Sequence, residues 1–243
     1  IAEHVRAAEA VDGLLRIANE EEPGQSVPEK FTEDRFLDGV GILKSTDAGA
    51  TWSKSLDWTY NQQRGVQQVR INPLNHISLY AATTEGVYKS TDQGNTWNQS
   101  LNVIMATDVI VNSADTTLLL AACGNFNSPG YGIYRSSDAG TTWTLITGGQ
   151  SNYSGKTRLE AFAGNPSIVF ASVADSTTGA GGLWRSADFG NSWTLINTSP
   201  IFGVQGWYSH FVAVHATDSL QVVHAGLSSY KSSNGGVSLA GGT

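Results

Sequence analysis

The chain is short of several things, and each shortage closes off a class of function. A single cysteine, Cys123, among 243 residues excludes an intrachain disulfide and any cysteine-built zinc site. No stretch approaches 18 consecutive apolar residues, so no segment reads as a membrane-spanning helix. The only methionine is Met105, and the sequence opens without the apolar run and small-residue cleavage site of a signal peptide. It therefore reads as a mature or partial chain. Charged residues make up only 14% of the whole. The net charge of −7 is concentrated at one end, because residues 1–38 hold ten acids against four bases and so carry −6. The remaining 205 residues carry −1, which leaves no basic face to attract phosphates and excludes nucleic acid as a partner.

What the chain does have is 27 glycines and seven tryptophans, a mixture that points to short strands and tight turns. It also repeats itself. "STDAGATW" begins at Ser45, "STDQGNTW" at Ser90, "SSDAGTTW" at Ser136 and "SADFGNSW" at Ser186, and a worn copy, "SSNGGVSL", begins at Ser232. The starts lie 45, 46, 50 and 46 residues apart, the length of a four-stranded propeller blade. Each period has one grammar. In the second, "VQQVRI" alternates as a strand, "NPLNH" turns, "SLYAA" is a second strand, "TTEG" turns, and "VYKS" leads into the octapeptide.

The octapeptide suits a hairpin turn. Its serine and aspartate (Ser45 and Asp47, Ser90 and Asp92, Ser136 and Asp138, Ser186 and Asp188) can accept from nearby N–H groups. Its glycines, Gly49, Gly94, Gly140 and Gly190, tolerate positive φ. Its tryptophans, Trp52, Trp97, Trp143 and Trp193, give each hairpin an apolar anchor. The aspartates are thereby expected to be structural.

Ser-x-Asp-x-Gly-x-Thr-Trp resembles the Asp-box, or BNR, repeat of β-propellers such as sialidases, xyloglucan-type endoglucanases, sortilin-like receptors and photosystem assembly factors. The resemblance covers residues 39–243 and is closest in style to secreted bacterial Asp-box proteins. It implies an all-β propeller of four-stranded antiparallel blades, an extracellular or cell-surface location, and a ligand face opposite the Asp-box turns. Residues 39–243 are expected to hold three whole blades and two partial ones, so that the propeller is partial and the chain part of a larger one. Residues 1–38 read as an acidic head or linker, with a helix over 2–19. The fifth box has Asn234 for Asp and Leu239 for Trp, which predicts a less firmly stapled blade.

With the boxes removed, the tryptophans that fall in inter-blade loops are Trp58 and Trp207. Joined by Tyr60, Phe126, Tyr131, Tyr153, Phe202 and Tyr208, they suit the apolar faces of sugars, and Arg64, Arg158 and His210 lie near the same rim. Trp58, Tyr60, Arg64, Arg158, Trp207, Tyr208 and His210 are the candidate ligand-binding residues, and the ligand is expected to be a glycan or a protein. Asp108 and Glu160, on the innermost strands of adjacent blades, are the candidate carboxyl pair for glycoside hydrolysis. The three-arginine set of a sialidase is not recognisable. His4, His76, His210, His215 and His224 show no close ligand spacing, so neither metal nor cofactor is expected. Three readings remain: a glycan- or protein-binding module, a glycoside hydrolase fragment with catalytic residues partly outside the chain, and an assembly factor acting by protein contact.

Overall fold

The computed structural model describes residues 8–10, 13–19, 39–58, 64–148, 154–175, 181–202, 206–208 and 210–241, with the backbone alone over the first of these up to residue 40. Their regular structure is β-strand, and no helix among them is long and apolar enough to cross a membrane.

Five antiparallel meanders follow the sequence period. The first comprises β1 (Ala8–Ala10), β2 (Gly13–Asn19), β3 (Gly39–Ser45) and β4 (Ser53–Asp57). The second comprises β5 (Val66–Ile71), β6 (Leu79–Thr83), β7 (Gly86–Ser90) and β8 (Asn98–Leu101). The third is β9 (Ala106–Val111), β10 (Leu119–Cys123), β11 (Gly132–Ser136) and β12 (Thr144–Leu145). The fourth is β13 (Thr157–Ala161), β14 (Val169–Ala174), β15 (Gly181–Ser186) and β16 (Thr194–Asn197). The fifth has β17 (Phe211–His215), β18 (Asp218–Ala225) and β19 (Ser229–Ser232), and an isolated bridge from Lys231 to Ala240 stands where a fourth strand would run. First strands lie side by side: β5 against β9, β9 against β13 and β13 against β17, with β1 and β2 against β5. This is the blade order of a β-propeller.

Two expectations are corrected here. Where a helix was expected over 2–19, the described residues 8–10 and 13–19 are strands, with Leu14 in register with Ser45 and Ile17 with Ile42. The physical reason is the free edge of β3. With β4 on one side only, β3 leaves a row of unpaired backbone groups, and strand pairing there outweighs a helical pattern that Gly13 already interrupts. The first blade therefore begins inside the supposed head. The count becomes four sheets of four strands and one of three, in place of three whole blades and two partial ones. Residues 20–38 lie outside the described residues.

The second strand of each blade explains how blades hold one another. "LYAAT", "LLAAC" and "VFASVA" are buried along their whole length, as strands covered on both faces are. Leu79 and Ala81 pack toward the first blade with Ile42, whereas Tyr80 and Ala82 pack toward the third with Val109, Leu119 and Ala121. Leu120 and Ala122 then meet Val169 and Ala171 of the fourth blade, and Phe170 meets Val212 and Val222 of the fifth. Each large side chain so covered contributes about 1.5–3 kcal/mol. The blades are held together by what they bury between them.

The octapeptides close the hairpins between third and fourth strands. The Ser90 hydroxyl donates to Asp92 Oδ1 at 2.8 Å and accepts from the Gly94 N–H at 2.8 Å. Asp92 in turn accepts from the Thr96 N–H at 2.8 Å and its hydroxyl at 2.6 Å. The same arrangement recurs at Ser45, Ser136 and Ser186. Two consecutive residues are left-handed in each turn, Gln93 and Gly94 for example, with φ of 62° and 79°.

The fifth octapeptide corrects the expectation of a loosened staple. Asn234 accepts from Ser232 at 2.8 Å and from the Ser238 N–H at 3.0 Å, and donates to the Ser238 hydroxyl at 2.8 Å. The left-handed pair there is Gly235 and Gly236, so the strained non-glycine residue of the other turns is replaced by one without a Cβ. Leu239 packs against the cluster containing Ile201 and Phe202.

Two of the tryptophans also bridge blades. The Trp97 indole donates to Ser55 Oγ at 2.9 Å, and Trp143 to Ser100 Oγ at 2.9 Å, each serine lying on the fourth strand of the preceding blade. Both serines sit three residues after their own box tryptophan, where the next two periods have Ile146 and Ile196. Trp193 accordingly donates to Gly190 O of its own turn, at 3.1 Å.

Ser100→Ala strands the Trp143 N–H and is expected to lower stability by about 1 kcal/mol, read from urea denaturation. The box carboxylates give an acid dependence. Hydrogen bonds from the Thr96 hydroxyl and amide, then from Ser90, hold Asp92 at about 2, against 3.8 when free. Asp47 and Asp138 are held at about 2 in the same way by Thr51 and Thr142. Because these values are depressed by folding, the stabilisation is present above pH 3.8 and is lost as pH falls toward 2. Asp92→Asn, which copies the arrangement at Asn234, is expected to keep the fold by circular dichroism. It should lose less of its melting temperature between pH 4 and pH 2 than the unaltered chain.

Candidate functional site

The inter-blade connections and the loops between second and third strands lie at the opposite end of the blades from the octapeptide turns. The residues expected to bind ligand there separate into two groups.

The first group is turned inward. Trp58 is only 5% exposed and packs with Ile42, Val66 and Val69, its ring edge-on to Tyr88 at 5.5 Å. Arg64 lies over the Trp58 ring at 5.6 Å and pairs with Glu85, Nε to Oε1 at 2.5 Å. The Tyr88 hydroxyl donates to the other oxygen of Glu85 at 2.9 Å. Trp58 is thus a plug between the first two blades, not an open platform: an indole face buries more apolar area against two blades than it could on a rim. Tyr60 lies outside the described residues.

Asp108 also departs from expectation. It is 1% exposed, and its oxygens accept from the Val109 N–H at 3.0 Å and the Leu159 N–H at 3.1 Å. Arg158 Nε lies 3.5 Å from Oδ2, and an Arg70 nitrogen 3.9 Å from Oδ1. Arg158 additionally donates to Thr107 O at 2.6 Å. The carboxylate is consumed in tying the first strands of three successive blades together, with both oxygens engaged and no face left for substrate. Glu160 sits farther along β13, part-buried. Asp108 is therefore a structural residue of the axis, and Arg158 is its partner.

The second group is presented outward. Trp207 is 37% and Tyr208 55% exposed, with ring centroids 5.3 Å apart. Phe126, from the loop after β10, joins them at 5.2 Å from Trp207 and is 58% exposed. Phe126 and Asn127 have φ of 50° and 58°, a conformation that costs a bulky residue of order 1–3 kcal/mol. A small set of bonds holds it. Asn125 donates through Nδ2 to Trp207 O at 2.8 Å, which ties the third-blade loop to the segment before β17. The Lys156 amine donates to Tyr208 O at 3.1 Å. Burial, then the Arg158 charge, pushes that amine down to about 8.

Beneath the aromatic trio lies a buried polar chain. His210 Nε2 is 3.0 Å from Lys156 O, which can only accept, so Nε2 carries the proton of the neutral ring. His210 Nδ1 is then an acceptor, filled by the Ser172 hydroxyl at 2.7 Å. Having one proton, Ser172 Oγ accepts from His224 Nε2 at 2.8 Å, which fixes the second tautomer and leaves His224 Nδ1 buried without a partner. Phe202 stands edge-on to both rings, at 5.0 and 5.5 Å. His210 and His224 are 5% and 1% exposed, so His210 is an internal support and not a ligand contact.

Lys156, Ser172 and His224 were not among the expected site residues, whereas Phe126 was expected among the loop aromatics of this face. A signal for two of them lies in the blade register. Ser172 occupies the position of Ala82 and Ala122, and His224 that of Ala81, Ala121 and Ala171. At the interface of the fourth and fifth blades an apolar alanine contact has become a polar one.

Asp108→Ala is expected to cost about 3–5 kcal/mol in urea denaturation, because it leaves the Arg158 guanidinium buried without its partner. A catalytic carboxylate without that structural duty would leave stability nearly unchanged.

No family profile and no curated protein matches the sequence. Solved structures do match in shape. A GH74 enzyme from Niastella koreensis superposes with a TM-score of 0.67 at 19% identity, over 94% of this chain and 36% of that one. An ancestral GH74 enzyme gives 0.61 at 15%, over 94% and 28%. YCF48 from Cyanidioschyzon merolae gives 0.53 at 16%, over 96% and 70%. The chain thus spans about a third of the length of the GH74 enzymes it is similar to. At these identities the likeness is one of fold, and with the five successive meanders it makes the chain an all-β, β-propeller fold.

Proposed function

We propose that the chain is an Asp-box propeller module of a longer, extracellular protein, and that it binds a glycan or protein ligand on its loop face without catalysing a reaction. The observation that carries this reading is the exposed trio Phe126, Trp207 and Tyr208. Three large aromatics stand open to solvent on hydrogen-bonded loops, one of them on strained backbone. The left-handed backbone at Phe126 and Asn127 is held at a cost by the loop's own hydrogen bonds, and it keeps the Phe126 ring on the surface beside Trp207. Tilted rings beside neutral Asn125 and Asn127 suit the apolar faces and hydroxyls of sugars. Trp207 and Tyr208 stay in the proposed site, while Trp58 and Arg64 leave it.

The second reading, a fragment of a glycoside hydrolase, is favoured by the fold shared with two GH74 enzymes. On that reading the catalytic groups lie elsewhere in a longer chain, because the Asp108 oxygens are already engaged. Glu160 is the remaining candidate within this chain.

The test is retardation in native gels cast with neutral polysaccharides such as xyloglucan, mixed-linkage β-glucan and galactomannan. Where a polysaccharide retards the chain, Trp207→Ala and Tyr208→Ala should each weaken binding at least tenfold, about 1.4 kcal/mol, with the melting temperature unchanged. Trp58→Ala should lower stability by about 3–5 kcal/mol. Full retardation of Trp207→Ala would move the site elsewhere. Release of reducing sugar that Glu160→Gln stops would favour the enzyme reading.

A further inference from the structure

We propose that the buried chain His210–Ser172–His224 is an acid-sensitive latch, which docks the fifth blade and the Trp207–Tyr208 segment onto the fourth blade at neutral pH and releases them on acidification. The inference rests on the reading of Trp207 and Tyr208 as part of a ligand platform, and concerns its regulation.

The geometry supplies the mechanism. The latch crosses the interface, with Ser172 on β14, His224 on β18 and His210 just before β17, where the platform segment joins. Its hydroxyl proton is needed by His210 and its lone pair by His224. A proton added to His210 Nδ1 makes both ring nitrogens donors, Nε2 to Lys156 O and Nδ1 to Ser172 Oγ, so the Ser172 proton loses its acceptor and the oxygen meets a second N–H beside that of His224. The charge has nowhere to go. The groups facing His210 are the Lys156 amine and Arg158 from the fourth blade and His224 from the fifth, all cationic when protonated; Asp108 stands behind them, engaged by Arg158. His224 faces His210 across Ser172 and stands edge-on to Phe202. The interfaces of the second blade with the third and of the third with the fourth carry alanines at these positions.

The sign follows from burial. Desolvation, then the Lys156 and His224 charges, holds His210 down at about 3, and desolvation holds His224 at about 4, against 6.5 for a free imidazole. The released state therefore binds more protons below pH 6.5, and docking weakens from there down to about 3. This window begins well above that of the box carboxylates, so the latch starts to open before the hairpins lose their charge.

The experiment is hydrogen exchange by mass spectrometry on the intact chain from pH 7 to pH 4.5, corrected for intrinsic rates. Protection of β17 and the adjoining platform segment is expected to fall at least tenfold per pH unit below 6, while protection of β10 and β11 stays level. His210→Gln offers an acceptor and a donor but does not titrate. It should keep neutral-pH protection within a few-fold and lose about tenfold per pH unit of the slope. His224→Gln should do likewise. A flat profile in the unaltered chain, or an unchanged slope in both variants, would overturn the latch. Because the readout involves no ligand, the latch can fail while the Trp207 binding test succeeds, and the reverse.

Discussion

The second strands of the middle three blades are buried on both faces, and none of these blades can cover its own alone. Leu79 and Ala81 need one neighbour, Tyr80 and Ala82 the other. That requirement makes the blades a stack in which stability is shared across interfaces, as in other repeat architectures. It also explains why Trp58 was drawn inward. A large ring between the first two blades is worth more as filling than as surface, and Arg64 and Glu85 seal the loop over it.

The octapeptides solve a different problem, turning the chain tightly while its backbone polar groups are out of reach of a strand partner. The buried serine hydroxyl serves the glycine amide and the carboxylate at once, and the carboxylate serves both the amide and the hydroxyl of the residue that closes the turn. Asn234 performs the same service without charge. The aspartate is thus chosen for acceptor geometry, and its charge adds strength without defining the turn.

The loop face shows how one fold admits a site. Asp108, Arg70 and Arg158 spend their charges on joining first strands, so the axis is structural. The exposed trio sits to one side, over the only blade interface among those described in which serine and histidine replace alanine. Presentation and support are adjacent there: the segment carrying Trp207 and Tyr208 runs directly into His210.

The sequence by itself determined the all-β class, the blade period and the role of the octapeptide aspartates, because these depend on local spacing and turn chemistry. The tertiary structure alone decided the rest. The strands at 8–10 and 13–19 form because β3 offers an unpaired edge, a feature invisible to the helical periodicity of that segment. Trp58 and Trp207 both read as loop tryptophans, and only packing distinguishes the plug from the platform. Phe126 lies far from Trp207 in sequence and meets it through a left-handed backbone and an Asn125 bond across blades. Ser172 and His224 were detectable only as departures from the alanines of neighbouring blades, once strand register fixed which positions correspond. Local pattern sets which turns and strands form, whereas the direction a side chain faces depends on what the neighbouring blade leaves uncovered.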